Sequence, residues 1–579
     1  MLKFGCPPKS YRGQSLANVG HNPELRLQPD RLRYTWCRFL EDVVARHGER
    51  TAIRFEGRDI SYTQLQADAR RLAKALATAG VVKGMRVAVH MANRPEFISA
   101  SFAVAMLGAV LVPVNTFSTP TEREYILRHS DSAVLLFQAT LLNHNFLDEL
   151  LAILPELASP GAGPLLSSKT PQLRHVVALG LEQQRGGVQA WETFIAAGQD
   201  FPDPVLDAMI AEVFPSDDSL IIYTSGTTAR PKGVLHMQRA AVIQSWRFAD
   251  DMRYSPADRV WTTYPFFWSA GICMALGACL AAGATLVLQE TFEPAAALQC
   301  LVDEQVNATQ CWPHQAKAMA EHPLYKTLDL SRLDKEVYRL QPEIEPEQDL
   351  WGTQGSFGMT ETFTLVSNLA ADSPVAARRS TAGKLLPGMT LRILDKASAA
   401  LLPQGEEGEI AVKGLTLMRG YYKVEPEAYF DADGFFHSQD GGYLDQEGYL
   451  HWNGRISNII KTGGVNVSPL EIETALQGYP NMRVGIPFGM PHSSLGEVIV
   501  LCAVAMEGCE LDEDKIQAFL KERLASYKLP RKILLFSESA LSFTGNQKIQ
   551  SDKLIDQAKN RLRDEAVDID GVNYGDYLV

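Results

Sequence analysis

The chain has 579 residues, 46% of them hydrophobic, with 55 basic against 68 acidic side chains and a formal net charge of -13. That length exceeds what one hydrophobic core usually organises, so at least two globular domains are predicted. No run of Lys and Arg is longer than a pair; the clustered positive charge of a nucleic-acid-binding surface is missing, and no nucleic-acid partner is expected.

The opening MLKFGCPPKSYRGQ carries no apolar stretch of signal-peptide length, and the eight cysteines contain no CxxC pair. Reduced thiols in the cytoplasm are the expectation. Further on, RVAVHMA, a helical pattern from about Pro95 and then AVLVPVN follow one another. This alternation predicts α/β layers with a largely parallel, buried sheet.

Phe97 to Val114 and Pro265 to Leu288 are free of Asp, Glu, Lys and Arg, and each approaches the roughly 20 residues that span a bilayer. Gly108 and Pro113 interrupt the first, and Gly271, Gly277 and Gly283 the second. Both are predicted to be buried helix-turn-strand units, with no transmembrane segment. Ala158 to Lys169, rich in Pro, Gly and Ser, is predicted to be a surface loop.

Beyond Gly454 to Lys461 the chain carries a pattern of its own: a helix from Pro469, the strand GEVIVLCAVAM and a helix from Asp512. This predicts a small α+β domain. After Gln550 a charged amphipathic helix and a loose end are expected.

The segment richest in chemistry is Ile221 to Val234, IIYTSGTTARPKGV. An apolar run leads into a loop holding Thr224, Ser225, Gly226, Thr227, Thr228 and Lys232. Glycine-exposed backbone N–H groups, hydroxyls and a lysine charge are the groups that bind polyphosphate; a solvated Ser/Thr turn would have the same composition. A Walker-type loop is excluded, because Pro231 stands where its second glycine precedes the lysine and removes an N–H from the cradle.

YTSGTTARPKGV resembles the signature of the superfamily of acyl-CoA synthetases, adenylation domains and luciferases. LGAVLVPVN, YPFFWSAG, SFGMTET, HSQDGGYLDQEGYLHWNGR, IIKTGGVNVSPLEIE and FTGNQKIQ resemble further motifs of that family, over roughly residues 50 to 555. The resemblance implies an α/β protein. Residues 1–456 would form a large adenylation domain of parallel-sheet layers with a β-barrel-like subdomain, and residues 457–579 a small mobile α+β domain.

It implies ATP-dependent conversion of a carboxylic acid to an acyl-adenylate, then thioester formation with coenzyme A. A carrier-protein phosphopantetheine or another nucleophile as acceptor, and a relative that has lost catalysis, remain alternatives; monomer and homodimer are equally open. By the same resemblance Phe357 in SFGMTET, with Gly358 beside it, stacks on adenine, Thr360 touches the α-phosphate and Glu361 holds Mg²⁺. Asp440 accepts from the ribose hydroxyls, and Arg455 contacts ribose or phosphate. Gly463 and Gly464 pass the pantetheine arm, Lys461 serves the thiol-transfer step, and Lys548 reaches the reacting carboxylate and phosphate. Phe267, Trp268, Gly271 and Trp312 suggest an apolar acyl or aryl pocket, with Phe266 and Cys311 adding apolar surface, although large apolar side chains are most often core.

The sequence departs from the family pattern at several places. Ala229 and Gln439 stand where glycine is usual, Ser457 and Asn458 occupy the expected hinge, and Gln547 precedes Lys548 in place of glycine. No adenine-wall segment is recognisable in VYRLQPEIEPEQ.

Overall fold

The computed structural model describes residues 19–21, 34–159, 164–224, 231–336, 351–352, 355–396, 398–456, 460–462, 465–467, 469–493, 495–524, 528–543 and 549–576. An eight-stranded sheet runs in the order Val188–Ala190, His175–Leu179, Ser132–Gln138, Arg86–His90, Val110–Pro113, Asp218–Thr224, Lys232–Met237 and Gly420–Tyr421. Its first six strands are parallel, and the last two are added antiparallel. Ser132–Gln138 and Val110–Pro113 are buried at every position, as strands covered on both faces must be.

The first uncharged stretch forms the helix Pro95–Met106, buried at every residue but Glu96. A turn at Gly108, with φ 60°, then leads into Val110–Pro113. The second forms a π-helical turn Gly271–Gly277 and the helix Ala278–Ala282, which ends at left-handed Gly283 before the strand Thr285–Leu288. Both are the predicted helix-turn-strand units, and among the described residues no helix is long and apolar enough to cross a membrane.

Thr285–Leu288 sits in a second sheet, ordered Lys335–Glu336, Ala308–Gln310, Arg259–Thr262, Thr285–Leu288, Thr51–Phe55 and Arg58–Ser61. It is parallel except for the final hairpin. The region expected to be barrel-like is a five-stranded antiparallel sheet of Val19–His21, Met389–Leu394, Gly408–Gly414, Phe436–Leu444 and Leu450–Arg455. Leu166, in the predicted surface loop, is 75% exposed. Seven of the eight cysteines are described, and none of those seven is in a disulfide.

The C-terminal part has its own sheet, built on the hairpin Met482–His492 and Gly496–Ala505 with Lys532–Phe536 parallel to the second of these. Its helices are Pro469–Ala475, Glu513–Lys521 and Ser551–Asp564, the second capped by Asp512, which accepts from the Lys515 N–H. Met482–His492 was not predicted, because its two prolines and two glycines resemble turn signals. Gly485 lets Leu476 pack close against this strand, since a Cβ would lie 2.4 Å from Leu476 Cδ1. Of the end expected to be loose after the last helix, the described residues to 576 are instead ordered. Asp568–Ile569 pairs with Val572–Asn573, and Tyr574 is buried with its hydroxyl donating to the Pro491 carbonyl at 2.9 Å.

Candidate active site

Thr224 and Lys232 face each other as the last register pair of an antiparallel hairpin. The signature segment is therefore a hairpin whose two ends are described, whereas Ser225, Gly226, Thr227, Thr228 and Ala229 lie outside the described residues. The helix Pro120–His129 holds both ends. Tyr125 donates its hydroxyl to the Pro231 carbonyl at 3.3 Å, and the Tyr223 hydroxyl bonds His129 Nδ1 at 2.8 Å. Gly233 makes room for the Tyr223 ring, since a Cβ there would lie 2.8 Å from Ile221 Cγ2 and 3.2 Å from Tyr223 Cζ. Burial, and then the nearby Lys423 charge, push the His129 pKa down.

The SFGMTET segment folds as a strand Phe357–Met359, a 3₁₀ turn Thr360–Thr362 and a returning strand Thr364–Asn368. The reversal places Phe363 and Thr364 at φ 52° and 94°, left-handed backbone that non-glycine residues adopt at a cost and that clusters at functional sites. Gly358 is dictated by packing: a Cβ would lie 1.6 Å from the Thr364 carbonyl oxygen. His236 fixes the turn by donating from Nε2 to the Thr360 carbonyl at 2.7 Å. Burial pushes this imidazole down to about 4, so it is neutral near pH 7. Gln244 Nε2 donates to the Thr362 and Leu365 carbonyls at 3.2 and 2.7 Å.

Held this way, Thr360 and Glu361 are partly exposed. Tyr421 donates its hydroxyl to Glu361 Oε1 at 2.6 Å, and the Met418 N–H donates to the Glu361 carbonyl at 2.7 Å. Lys232 Nζ lies 5.0 Å from the centre of the Tyr421 ring. The lysine and the carboxylate thus meet at one tyrosine, although they stand far apart in sequence.

Asp440 is aimed by a β-bulge between Gly408–Gly414 and Phe436–Leu444. Gln439 takes φ 62° there, which explains why glycine suits this position. Ser438 Oγ donates to the Ile410 carbonyl and accepts from the Asp440 N–H, and bulges of this kind re-aim side chains beside active sites. Asp440 is 4% exposed and accepts at Oδ1 from Trp452 Nε1–H at 3.2 Å. Phe357 is also buried, and its ring lies 6.2 Å from that of Trp452, which is 40% exposed. Trp452 therefore presents the open aromatic surface beside Asp440.

The aromatic residues picked out for an acyl pocket also come together. Phe267 and Trp268 are 5.3 Å apart, Trp268 and Trp312 5.9 Å, and Trp312 and Tyr264 4.6 Å, between ring centres. At the outer end the exposed Phe117 meets Phe267 at 5.7 Å. Gly271 is required by close approach, since a Cβ would lie 2.0 Å from the Pro265 carbonyl oxygen. Asn93 braces the segment, donating to the Tyr264 carbonyl and accepting from the Phe266 N–H, both at 2.9 Å. Phe266 and Cys311 are fully buried core residues. Cys273 Sγ lies 2.7 Å from Thr364 Oγ1, tying the aromatic group to the SFGMTET turn.

The family model for the AMP-binding enzyme matches residues 40–422, well over half of the chain. The chain belongs to the AMP-binding enzyme family. An indoleacetate–CoA ligase from Aromatoleum aromaticum is 31% identical over 86% of this chain and 94% of its own length. A 3-[(3aS,4S,7aS)-7a-methyl-1,5-dioxo-octahydro-1H-inden-4-yl]propanoyl:CoA ligase from Mycobacterium tuberculosis is 31% identical over 85% of this chain and 93% of its own length. The fold is that of an anthranilate CoA ligase solved with anthranoyl-AMP, at TM-score 0.73 and 22% identity, covering 91% of this chain and 98% of that one. The superfamily membership read from the motifs is thereby established, as are the α/β layers with a large N-terminal and a smaller C-terminal domain.

This AMP-binding enzyme offers a donor set suited to magnesium. Glu361 is a hard oxygen donor with one oxygen engaged by Tyr421 and, among the described residues, no hydrogen-bond partner on the other. No cluster of three or more His, Cys, Asp or Glu capable of holding a metal occurs among the described residues. One carboxylate suffices for an ion that completes its shell with phosphate oxygens and water.

Asp440 and Arg455 are register partners, and Lys461 lies in the short strand Ile460–Thr462; of Arg455 and Lys461 only the backbone is described. Gly463, Gly464, Ser457, Asn458, Gln547, Lys548 and the VYRLQPEIEPEQ segment lie outside the described residues. The sequence reading missed Tyr421, Trp452, Asn93, Tyr125 and His129. Trp452 lies inside the HSQDGGYLDQEGYLHWNGR motif but was given no role there; the other four carry no motif, and each acts through a partner distant in the chain.

Proposed function

We infer that this enzyme is an ATP-dependent, AMP-forming acid–thiol ligase that activates an apolar fatty or aryl carboxylic acid and transfers the acyl group to coenzyme A. The observation that carries this reading is that Tyr421 brings Lys232 and Glu361 together, while Trp452 joins Asp440 to Phe357 of the segment that also carries Glu361. The joined rings of Phe267, Trp268 and Trp312 support an apolar tail on the acid, as do the acids named for the relatives. The reading assigns adenylation to residues 1–456 and a mobile role to residues 457–579, and places the reaction in the cytoplasm.

A carboxylate resists nucleophiles until one oxygen becomes part of a good leaving group. The acid's carboxylate oxygen attacks the α-phosphorus of ATP; the new C–O–P bond forms as the bond from Pα to the bridging oxygen breaks, and pyrophosphate leaves. Thr224, Ser225, Gly226, Thr227, Thr228 and Lys232 hold the polyphosphate, Asp440 and Arg455 fix the ribose, and Trp452, backed by the buried Phe357, faces the base. The reading gives Thr360 and Lys548 the role of stabilising the oxygens on which charge develops, where preorganised donors act most strongly. Glu361 would hold magnesium, which when bound would supply further positive charge to the phosphates. Fixing both reactants in line supplies much of the remaining acceleration.

In the second step the thiol, as its proton leaves, attacks the carbonyl carbon; the C–S bond forms, the C–O bond to phosphate breaks, and AMP departs. Lys461, Gly463 and Gly464 serve this step after rotation of the small domain at Ser457.

Pyrophosphate release measured over a panel of fatty and arylalkanoic acids, with and without coenzyme A, tests the proposal. Acid-dependent pyrophosphate together with a coenzyme A thioester is expected. Acyl-AMP without thioester would move the acceptor to a carrier-protein phosphopantetheine, and no acid-dependent pyrophosphate from any acid would overturn the activity itself.

A further inference from the structure

We propose that Tyr421 is a positioning residue that couples the two charged ends of the polyphosphate site, its hydroxyl orienting the Glu361 carboxylate and its ring seating the Lys232 ammonium. The inference rests on the function proposed above. Its geometry is independent of any nucleotide. Tyr421 lies opposite Val234 in the antiparallel pairing of Gly420–Tyr421 with Lys232–Met237. Lys232 is two residues from Val234, so it stands on the same face of the sheet as a diagonal neighbour of the tyrosine. The ammonium then lies 5.0 Å over the ring, within the range of a cation–π contact.

The other end of the same side chain reaches Glu361 at 2.6 Å. A carboxylate accepting a phenolic O–H is held in one rotamer, with its second oxygen left to face the ligand. The ring is itself braced. Tyr429 stands against it at 4.7 Å in an edge-on arrangement and accepts the Tyr421 N–H at its own hydroxyl. Gly420 makes that possible, since a Cβ would lie 2.4 Å from the Tyr429 oxygen. With Met418 on the Glu361 carbonyl, residues 418–421 clasp the carboxylate residue by both backbone and side chain. A tyrosine serving only the core would need neither contact.

Calorimetric titration of ATP into enzyme, with acid and coenzyme A omitted and Mg²⁺ varied, tests the coupling without turnover. Tyr421→Phe keeps the ring and loses only the hydroxyl. It should raise the Mg²⁺ concentration that half-saturates the metal-dependent gain in ATP affinity by about tenfold, the scale of a hydrogen bond to a charged group, and leave metal-free ATP binding within about twofold. Tyr421→Leu should weaken metal-free binding as well. In a Glu361→Gln background Tyr421→Phe should have no further effect, as coupled residues require. An Mg²⁺ titration of Tyr421→Phe that overlays the wild type, or an equal loss with and without metal, overturns the proposal. Wild-type enzyme that binds Mg·ATP but forms no adenylate with any acid would instead count against the ligase reading alone.

Discussion

Gln439→Gly isolates the backbone strain that aims Asp440. Gln439 sits at φ 62° on the bulge, its side chain exposed, and its N–H donates to Glu409 Oε1 at 3.1 Å. That bond belongs to the backbone and survives any substitution but proline. A residue with a Cβ loses about 1–2 kcal/mol in the left-handed region, whereas glycine gives back about 0.5–1 kcal/mol through its freedom in the unfolded chain. The substitution should therefore stabilise the large domain by about 0.5–1 kcal/mol. Gln439→Ala should be near neutral, Gln439→Asn intermediate, and Gln439→Val the least stable, because a branched side chain tolerates this region worst. Urea unfolding followed by tryptophan fluorescence ranks the four variants against the wild type. A Gln439→Gly protein less stable than the wild type, or a Val variant equal to Ala, would refute the assignment of strain to this residue. The KM for ATP should change little in the Gly variant, because the bulge that carries Asp440 is retained.

Asp440→Ala should raise the KM for ATP more than it lowers kcat, since ribose contacts differ little between ground and transition states; an unchanged KM would remove Asp440 from that role. Trp452→Phe, which keeps a ring and loses the N–H that holds Asp440, should do the same on a smaller scale, about threefold, and a change confined to kcat would count against it. Stability should fall as pH drops below 6.5, because burial pushes His90 down to about 3 and His236 to about 4, so that only the unfolded chain takes up those protons readily. Asp251, pushed up to about 6 by burial, binds its proton first in the folded state and works in the opposite sense, as do Glu41, Asp218 and Glu473, also raised by burial; His47, His129 and His175 are lowered as well, which leaves five groups against four. Denaturation midpoints at pH 7.5 and 5 check the sign, and a flat or rising profile toward acid would contradict it.

The parts of this protein legible in its sequence are those written in local chemistry. RVAVHMA and AVLVPVN lie in adjacent parallel strands because runs of branched apolar residues can only be buried on both faces. SFGMTET was readable as a site segment, but its strained Phe363–Thr364 reversal was not, since neither residue is of a type that advertises left-handed backbone. Gln439 illustrates the converse: it looked like a lost glycine, yet the backbone there is what glycine would prefer. Tyr421 and Trp452 escaped because their meaning lies in pairings with Lys232, Glu361 and Asp440 that only the folded sheets create. Met482–His492 was hidden by glycines and prolines, which a long two-stranded ribbon tolerates and a linear pattern does not.

The short strand Val19–His21 pairs with Met389–Leu394, and Thr51–Phe55 pairs with Thr285–Leu288. During synthesis these early segments emerge long before their partners exist. At about 5–20 residues per second, the first strand waits roughly 20 to 75 seconds for the second. The nascent chain must carry an unpaired edge throughout that interval, and any truncation that ends before residue 389 leaves it so permanently. Slower translation lengthens the exposure, and holding chaperones would shorten its consequences. The last part of the large domain to be made is what allows the first part to settle.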